Sequence, residues 1–199
     1  MNITHKKVIT ILGDVASMDF CDNYFDLVLC AEVLEHIPPQ LLETVCNEII
    51  RVTCKYVIIG VPYKQDIRIG STFCSTCNNV NPPWGHVNSF DEEIIRALFT
   101  KLSEQKISYV GKNKNHKTTA LSHYLMTLAG HPYGTYDQKE CCIYCGKRLT
   151  PPAAVNIFSK LFALASLAIF NMQSICTKVQ PNWVHILFRK QVVMESTEK

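Results

Sequence analysis

Two apolar patterns alternate along the chain. Short continuous runs rich in Val and Ile occur at 8–13 (VITILG), 25–31 (FDLVLCA), 56–61 (YVIIGV), 107–110 and 183–188 (WVHILF). Such runs, bounded by Gly, Pro, Asp or Asn, read as buried strands. Between them, apolar residues recur every three or four positions. Over 38–52, Leu41, Leu42, Val45, Ile49 and Ile50 form one stripe, and Pro38 or Pro39 suits the first turn. The same spacing predicts helices over 91–101 (with Ser89 or Asp91 as cap), 118–129 and 153–173.

Continuous strands alternating with helices predict an α/β fold built on a mainly parallel sheet, Rossmann-like and covered on both faces. At 199 residues the chain suits a single domain over 1–199, with insertions around 70–90 and 112–180. A net charge of +3, with the basic residues scattered, argues against nucleic acid as a partner. The stretch 153–172 approaches the ~20 residues of a membrane span. Asn156, Ser159, Lys160 and Ser166 interrupt it, so no transmembrane span is expected, and an amphipathic helix or peripheral membrane contact is the reading.

The ten cysteines change the picture. Residues 1–12 have neither the length nor the pattern of a signal peptide, which points to a cytoplasmic, reducing setting. Cys30, Cys46 and Cys54 sit in apolar runs and read as buried thiols. Cys74-x-x-Cys77 and Cys142-x-x-Cys145-Gly146 are tight-turn pairs, and two such pairs can complete a tetrahedral zinc site. Cys74, Cys77, Cys142 and Cys145 are therefore expected to hold a structural Zn²⁺, with His86 and His131 as substitute ligands. Redox couples fit less well, because neither pair opens a helix after a strand.

The richest block is 13–36, GDVASMDFCDNYFDLVLCAEVLEH. A strand ending on Cys30, Ala31 and Glu32, followed by Glu35 and His36, is a way to build a ligand crevice, since ligands in α/β sheets sit beyond the carboxyl ends of strands. Asp26 reads as structural, holding nearby backbone N–H groups at the start of that strand. Glu35–His36 could act as a general-base pair. In NPPWGHVNSF, after the third of the early strands, Trp84 offers a flat surface and His86 a titratable group that could remove a proton.

Gly13-Asp14-Val15-Ala16, the run 22–28 and Glu32-Val33-Leu34-Glu35-His36 together resemble class I S-adenosylmethionine-dependent methyltransferases of the type 11-like group. The resemblance covers 8–62 well and extends loosely to 98 and to the last strand. It implies that the Asp14 carboxylate accepts from the adenine amino group. It also implies that the Val15 N–H meets an adenine ring nitrogen beside Gly13, and that Cys30, Ala31 and Glu32 line the methionine side. In that family a glycine-rich first turn and an acid after the second strand complete the cofactor site. No G-x-G occurs in this chain, so the first strands and the glycine-rich half of the site are expected to be missing, and cofactor binding to be weak or lost. The implied function is methyl transfer to an unidentified acceptor, whether small molecule, glycan or protein, by an intact, truncated or degenerate member. The alternative is a non-catalytic, zinc-stabilised binding or scaffold module.

Overall fold

The computed structural model describes residues 8–112, 117–152, 155–175 and 177–191. Its elements are β1 (Phe25–Ala31), α1 (Leu42–Val52), β2 (Thr53–Pro62), β3 (Thr72–Phe73), β4 (Val80–Asn81), α2 (Glu92–Leu98), β5 (Leu102–Val110), α3 (Ala120–Leu128), α4 (Ile157–Ile175) and β6 (Trp183–Lys190). Single 3₁₀ turns occur at Leu34–His36 and Pro83–Gly85. The main sheet has the order β1-β2-β6-β5, and β3 and β4 form a separate hairpin.

The fold is α/β, as the periodicities require. β1 and β2 are parallel, whereas β6 runs antiparallel to both β2 and β5. Three of the four strands therefore point the same way, and β6 alone is reversed. Alternation puts Val57, Ile59 and Val61 of β2 and Val184, Ile186 and Phe188 of β6 on one dry face. Val45, Cys46, Ile49 and Ile50 of α1 and Ile95 of α2 cover that face. Burying an aliphatic side chain this completely stabilises by about 1.5–3 kcal/mol each, and Phe99 stacks on Phe188 with ring centroids 5.4 Å apart.

Three expectations need correction. Residues 8–13 form no strand. They pair with nothing among the described residues, and Val8, Ile9, Ile11 and Leu12 stay exposed. A strand exists only through a partner that takes its backbone groups, and β1 is the edge of the described sheet. Nor are both faces of the sheet covered. Leu27, Leu29 and Tyr56 remain exposed on the side away from α1. Asp26, read as serving backbone N–H groups, instead pairs with Lys55 of the neighbouring strand at 2.8 Å.

Helices α3 and α4 pack on each other. Ser122 and Ser166 meet at their contact, where the Ser166 hydroxyl donates to Ser122 O at 2.6 Å. The outward side of α4 is apolar, with Ile157, Phe158, Leu161 and Leu164 exposed. No helix among the described residues is long and apolar enough to cross a membrane. The start of the expected 153–173 helix, residues 153–154, lies outside the described residues.

Charged side chains fasten the amino end of the sheet. Arg51, at the end of α1, donates to Met18 O, Phe20 O, Asp22 and Glu48. Lys190 Nζ donates to Ile50 O, Thr53 O and Asn23 Oδ1 at 2.7–2.8 Å. Farther along the chain, the buried carboxylate of Asp66 accepts from the Arg68 guanidinium at 2.8 and 2.7 Å and from Thr118 N at 2.8 Å. It thereby ties the turn after β2 to the segment that enters α3.

Burial pushes the Asp66 carboxyl up, but the bonds from Arg68 and Thr118 outweigh it and hold it below the usual range. Its contribution to stability is therefore present above the unfolded value of about 3.9 and is lost as pH falls through the lower folded value. Urea unfolding of Asp66→Asn is expected to show a loss of about 1–2 kcal/mol at neutral pH. That deficit should shrink below pH ~4, where the wild-type carboxyl also protonates. An equal deficit at every pH would contradict the assignment.

Candidate active site and cysteine cluster

β1 stops at Ala31, where the Glu32 N–H donates to Gly60 O at 3.0 Å. Glu32 then turns with φ near +55°, a region that costs a non-glycine residue roughly 1–2 kcal/mol. The Leu34–His36 turn follows and is stapled from the side. Val87 N and Asn88 N donate to Glu35 O at 2.7 and 3.2 Å. The Asn88 amide donates to Leu34 O and Ile37 O at 2.9 and 2.6 Å. This staple brings His86 against His36, with ring centroids 4.6 Å apart and edge to face.

A cavity of about 500 Å³ opens here, beyond the carboxyl ends of β1 and β2. Glu32, His36, Gln65, Trp84, His86 and Glu140 line it together with Pro62, Tyr63, Asn182 and Trp183. Trp84 also has φ near +54°, and its N–H donates to Gln138 Oε1. Strained residues on both sides of one cavity are what a binding site tends to keep. Under the cavity lies Glu35, fully buried, with neither carboxyl oxygen bonded to any described group. Burial lifts its carboxyl first, its own backbone N–H opposes, and the Glu32 charge adds to the lift, taking it to about 7. Burial and then the neighbouring His36 push His86 down to about 4, despite Glu140. Gln65 Oε1 lies 2.6 Å from His86 Nδ1.

The other residues singled out in the sequence fall as follows. Glu32 lines the cavity, Cys30 is buried just before it, and Ala31 is partly buried. Burial, with the Glu35 charge, pushes the Cys30 thiol up to about 11, so it stays protonated. Gly13 and Asp14 are exposed, and Val15 packs on the core. One oxygen of Asp14 accepts from Ala16 N at 2.9 Å, which closes its own turn. His36 and His86 stand together. Gln65, Glu140 and Trp183 were not singled out, and nothing local in the sequence sets them apart.

The two Cys-x-x-Cys turns are built alike. Cys74 N donates to Asn79 O, and Asn78 N donates to Cys74 O; Cys142 N donates to Lys147 O, and Gly146 N to Cys142 O, all at 2.8–2.9 Å. The fourth residue after the first cysteine is left-handed in both, Asn78 at φ 60° and Gly146 at φ 68°. Asn81 Oδ1 accepts from Ile143 N at 2.9 Å and locks one turn to the other. The four sulfurs lie within 4.8 Å of one another, with Cys74–Cys145 at 3.7 Å and Cys77–Cys142 at 3.5 Å. A tetrahedral zinc with bonds of ~2.3 Å has edges of about 3.8 Å. Burial opposes ionisation of Cys142, but the N–H groups of Tyr144 and Cys145 and the neighbouring Cys77 and Asn81 bring it down to about 6. Cys141 is exposed and spare, and His131 is buried near His123, with ring centroids 6.1 Å apart.

The cysteine cluster also fixes a wall of the cavity. The limb 131–140 crosses the turn after β2, where Thr135 N and Oγ1 donate to Gly70 O at 2.9 Å each. It presents Gln138 to Trp84 and sets Glu140 on the cavity rim.

Residues 2–58 match the family described as a methyltransferase domain. No curated protein matches the chain. Among solved structures it is similar to a putative methyltransferase from Bacillus halodurans, at 12% identity over 94% of this chain and 73% of that one, TM-score 0.49. It is similar to a SAM-dependent methyltransferase from Archaeoglobus fulgidus, at 14% identity over 90% and 66%, TM-score 0.44. A third is a SAM-dependent methyltransferase, possibly a histamine N-methyltransferase, from Thermotoga maritima, at 12% identity over 92% and 65%, TM-score 0.43. The chain spans slightly less than two thirds of the length of the latter two.

The limb depends on one close approach. A Cβ on Gly134 would lie 2.3 Å from Ser71 O and 2.9 Å from Thr72 Cγ2. Gly134→Ala is expected to lower stability by about 1–3 kcal/mol in urea unfolding. Gly13→Ala, with nothing within 4 Å, should change it little. Equal effects would contradict the packing.

Proposed function

We propose that this chain, whose residues 2–58 match a methyltransferase domain, serves S-adenosylmethionine-dependent methyl transfer in the crevice beyond β1 and β2. One observation carries the reading: the matched segment runs through β1 into β2, and the cavity lies where those two strands end. Asp14 and the Val15 N–H would hold the adenine side. The Asp14 carboxylate has acceptor capacity beyond its single bond to Ala16 N. Ala31 and Glu32, at the crevice wall, would meet the methionine side.

Bound S-adenosylmethionine supplies an electrophilic sulfonium methyl, so the residues of the chain contribute mainly alignment of the acceptor. Trp84 and Trp183 offer flat walls, and Glu32 and Glu140 offer carboxylates. None of the lining residues is Lys or Arg. That lining suits a neutral or cationic acceptor better than an anionic one. Isothermal titration with S-adenosylmethionine is expected to give weak but saturable 1:1 binding, as the lack of a glycine-rich turn implies, weakened about tenfold or more again by Asp14→Ala, the loss of one charge-assisted hydrogen bond. No binding by the wild-type chain would favour a scaffold role instead.

The four sulfurs are read as a structural zinc site that holds the 131–140 limb in place. A closed set of four thiolates leaves no position for substrate. Protein purified without added zinc is expected to carry about one zinc per chain by mass spectrometry. Cys77→Ser or Cys142→Ser should remove it and lower the melting temperature. A wild-type content far below one would sink the site.

A further inference from the structure

A second ligand set lies at the crevice, where His36 and His86 line the cavity and Glu35 is buried beside them. One donor atom each from Glu35, His36 and His86 falls within 4.8 Å of the others. We propose that these three residues bind a divalent transition-metal cation, separate from the cysteine cluster and facing the crevice.

Three observations support the site. The first is Glu35. A carboxyl group that is fully buried, with both oxygens unbonded to any described group, is costly unless something pairs with it. Here it is held by its own backbone, through Val87 N and Asn88 N, beside the two imidazoles. The second is the orientation of His86. Gln65 Oε1 accepts at Nδ1, which places the ring proton there and leaves Nε2 as a lone pair. An outer hydrogen bond of this kind is the usual support of a metal-bound histidine. The third is charge. Glu32 and Glu140 line the same cavity, and no Lys or Arg does, so a cation there meets carboxylates and no competing positive side chain.

Two imidazoles and one carboxylate on one side of an ion leave its other positions open to ligands from the cavity. Ligands adjacent around a metal at ~2.1 Å stand about 3.0 Å apart in an octahedral and about 3.4 Å in a tetrahedral arrangement. Rotation of the exposed His36 side chain can close the remaining gap. The consequence for methyl transfer rests on the reading above: an acceptor oxygen bound to the ion would lose its proton more readily and be fixed in place. Cation binding itself does not rest on it.

Mn²⁺ is the probe, because thiolates already holding zinc compete poorly for so hard an ion. Zinc-loaded protein is titrated with Mn²⁺ while the electron paramagnetic resonance signal of free Mn²⁺ is followed. One further equivalent is expected to bind. His36→Ala, His86→Ala and Glu35→Gln should each weaken it about tenfold or more, with the zinc content unchanged. His36 is exposed, so a folding defect is not expected of its variant, and the isosteric Glu35→Gln keeps the side-chain volume. No bound Mn²⁺, or binding unaltered in both His36→Ala and His86→Ala, overturns the proposal. Binding of Mn²⁺ without any binding of S-adenosylmethionine would leave the site standing and remove the methyl-transfer reading.

Discussion

β2 has a parallel neighbour on one side and an antiparallel neighbour on the other, so its backbone groups are taken on both edges. Its inward side chains Val57, Ile59 and Val61 are wholly shielded from water. The positions of α1, α2 and β6 follow from keeping that face dry. α1 supplies Val45, Ile49 and Ile50, β6 supplies Val184 and Ile186, and α2 closes the end with Ile95. The opposite side of the strand is constrained as well. Gly60 faces His185 across the ladder, and a Cβ there would lie 2.5 Å from the imidazole. The strand that leads to the crevice is thus buried on one face and closely approached on the other.

The second constraint is a cross-link across a long loop. Cys77 and Cys142 are 65 residues apart. Bringing them together costs loop-closure entropy that hydrophobic contact alone offsets poorly here, since the small core around the cysteines is only Cys74, Cys142 and Leu149 with Cys77 and Tyr136 beside it. The backbone does part of the work through the paired turns and the Asn81 bond to Ile143 N. A bound metal would do the rest, because its binding energy becomes folding energy for a module this small. The crevice gains from this. Glu140 is two residues from Cys142, and Gln138 reaches Trp84, so the limb is as rigid as the cluster that anchors it.

Much of this was legible in the residues. The runs 25–31, 56–61 and 183–188 became β1, β2 and β6 because continuous apolar stretches have little choice once a face must be buried. The Cys-x-x-Cys spacing pointed to a cluster that the geometry assembles. Residues 8–13 misled, since their apolar pattern is that of a strand and only the presence of a partner decides. β3 and β4 were invisible, being two residues each, with a hairpin set by Asn78 rather than by periodicity. The crevice was half legible. Glu32, His36 and His86 stood out by type, but the staple from Asn88 and the contact of Gln65 with His86 arise from chain crossings that no local pattern encodes. Glu35 was read with His36 as a base pair, and its complete burial could not be foreseen from a turn next to two prolines.

The two ends of the sheet treat charge in opposite ways, and the contrast shows which carboxylates are structural. At the amino end, the carbonyls that terminate α1 carry the negative pole of the helix. Lys190 donates to Ile50 O and Thr53 O there, while Arg51 donates to Met18 O and Phe20 O of the loop before β1, with Glu48 and Asp22 answering it. Each charge there has a partner that folding itself supplies. At the carboxyl end, Glu35 is buried with no bonded partner among the described residues, and Glu32 and Glu140 look into a cavity without a lysine or arginine in its lining. Glu35 cannot add to stability in that condition, because burying a polar group costs free energy unless a bond replaces the water. The lining at that end offers carboxylates and neither lysine nor arginine, so a ligand entering there meets negative side chains. At the base Lys190 and Arg51 have their partners, and it is at the open end that a carboxylate is left without one among the described residues.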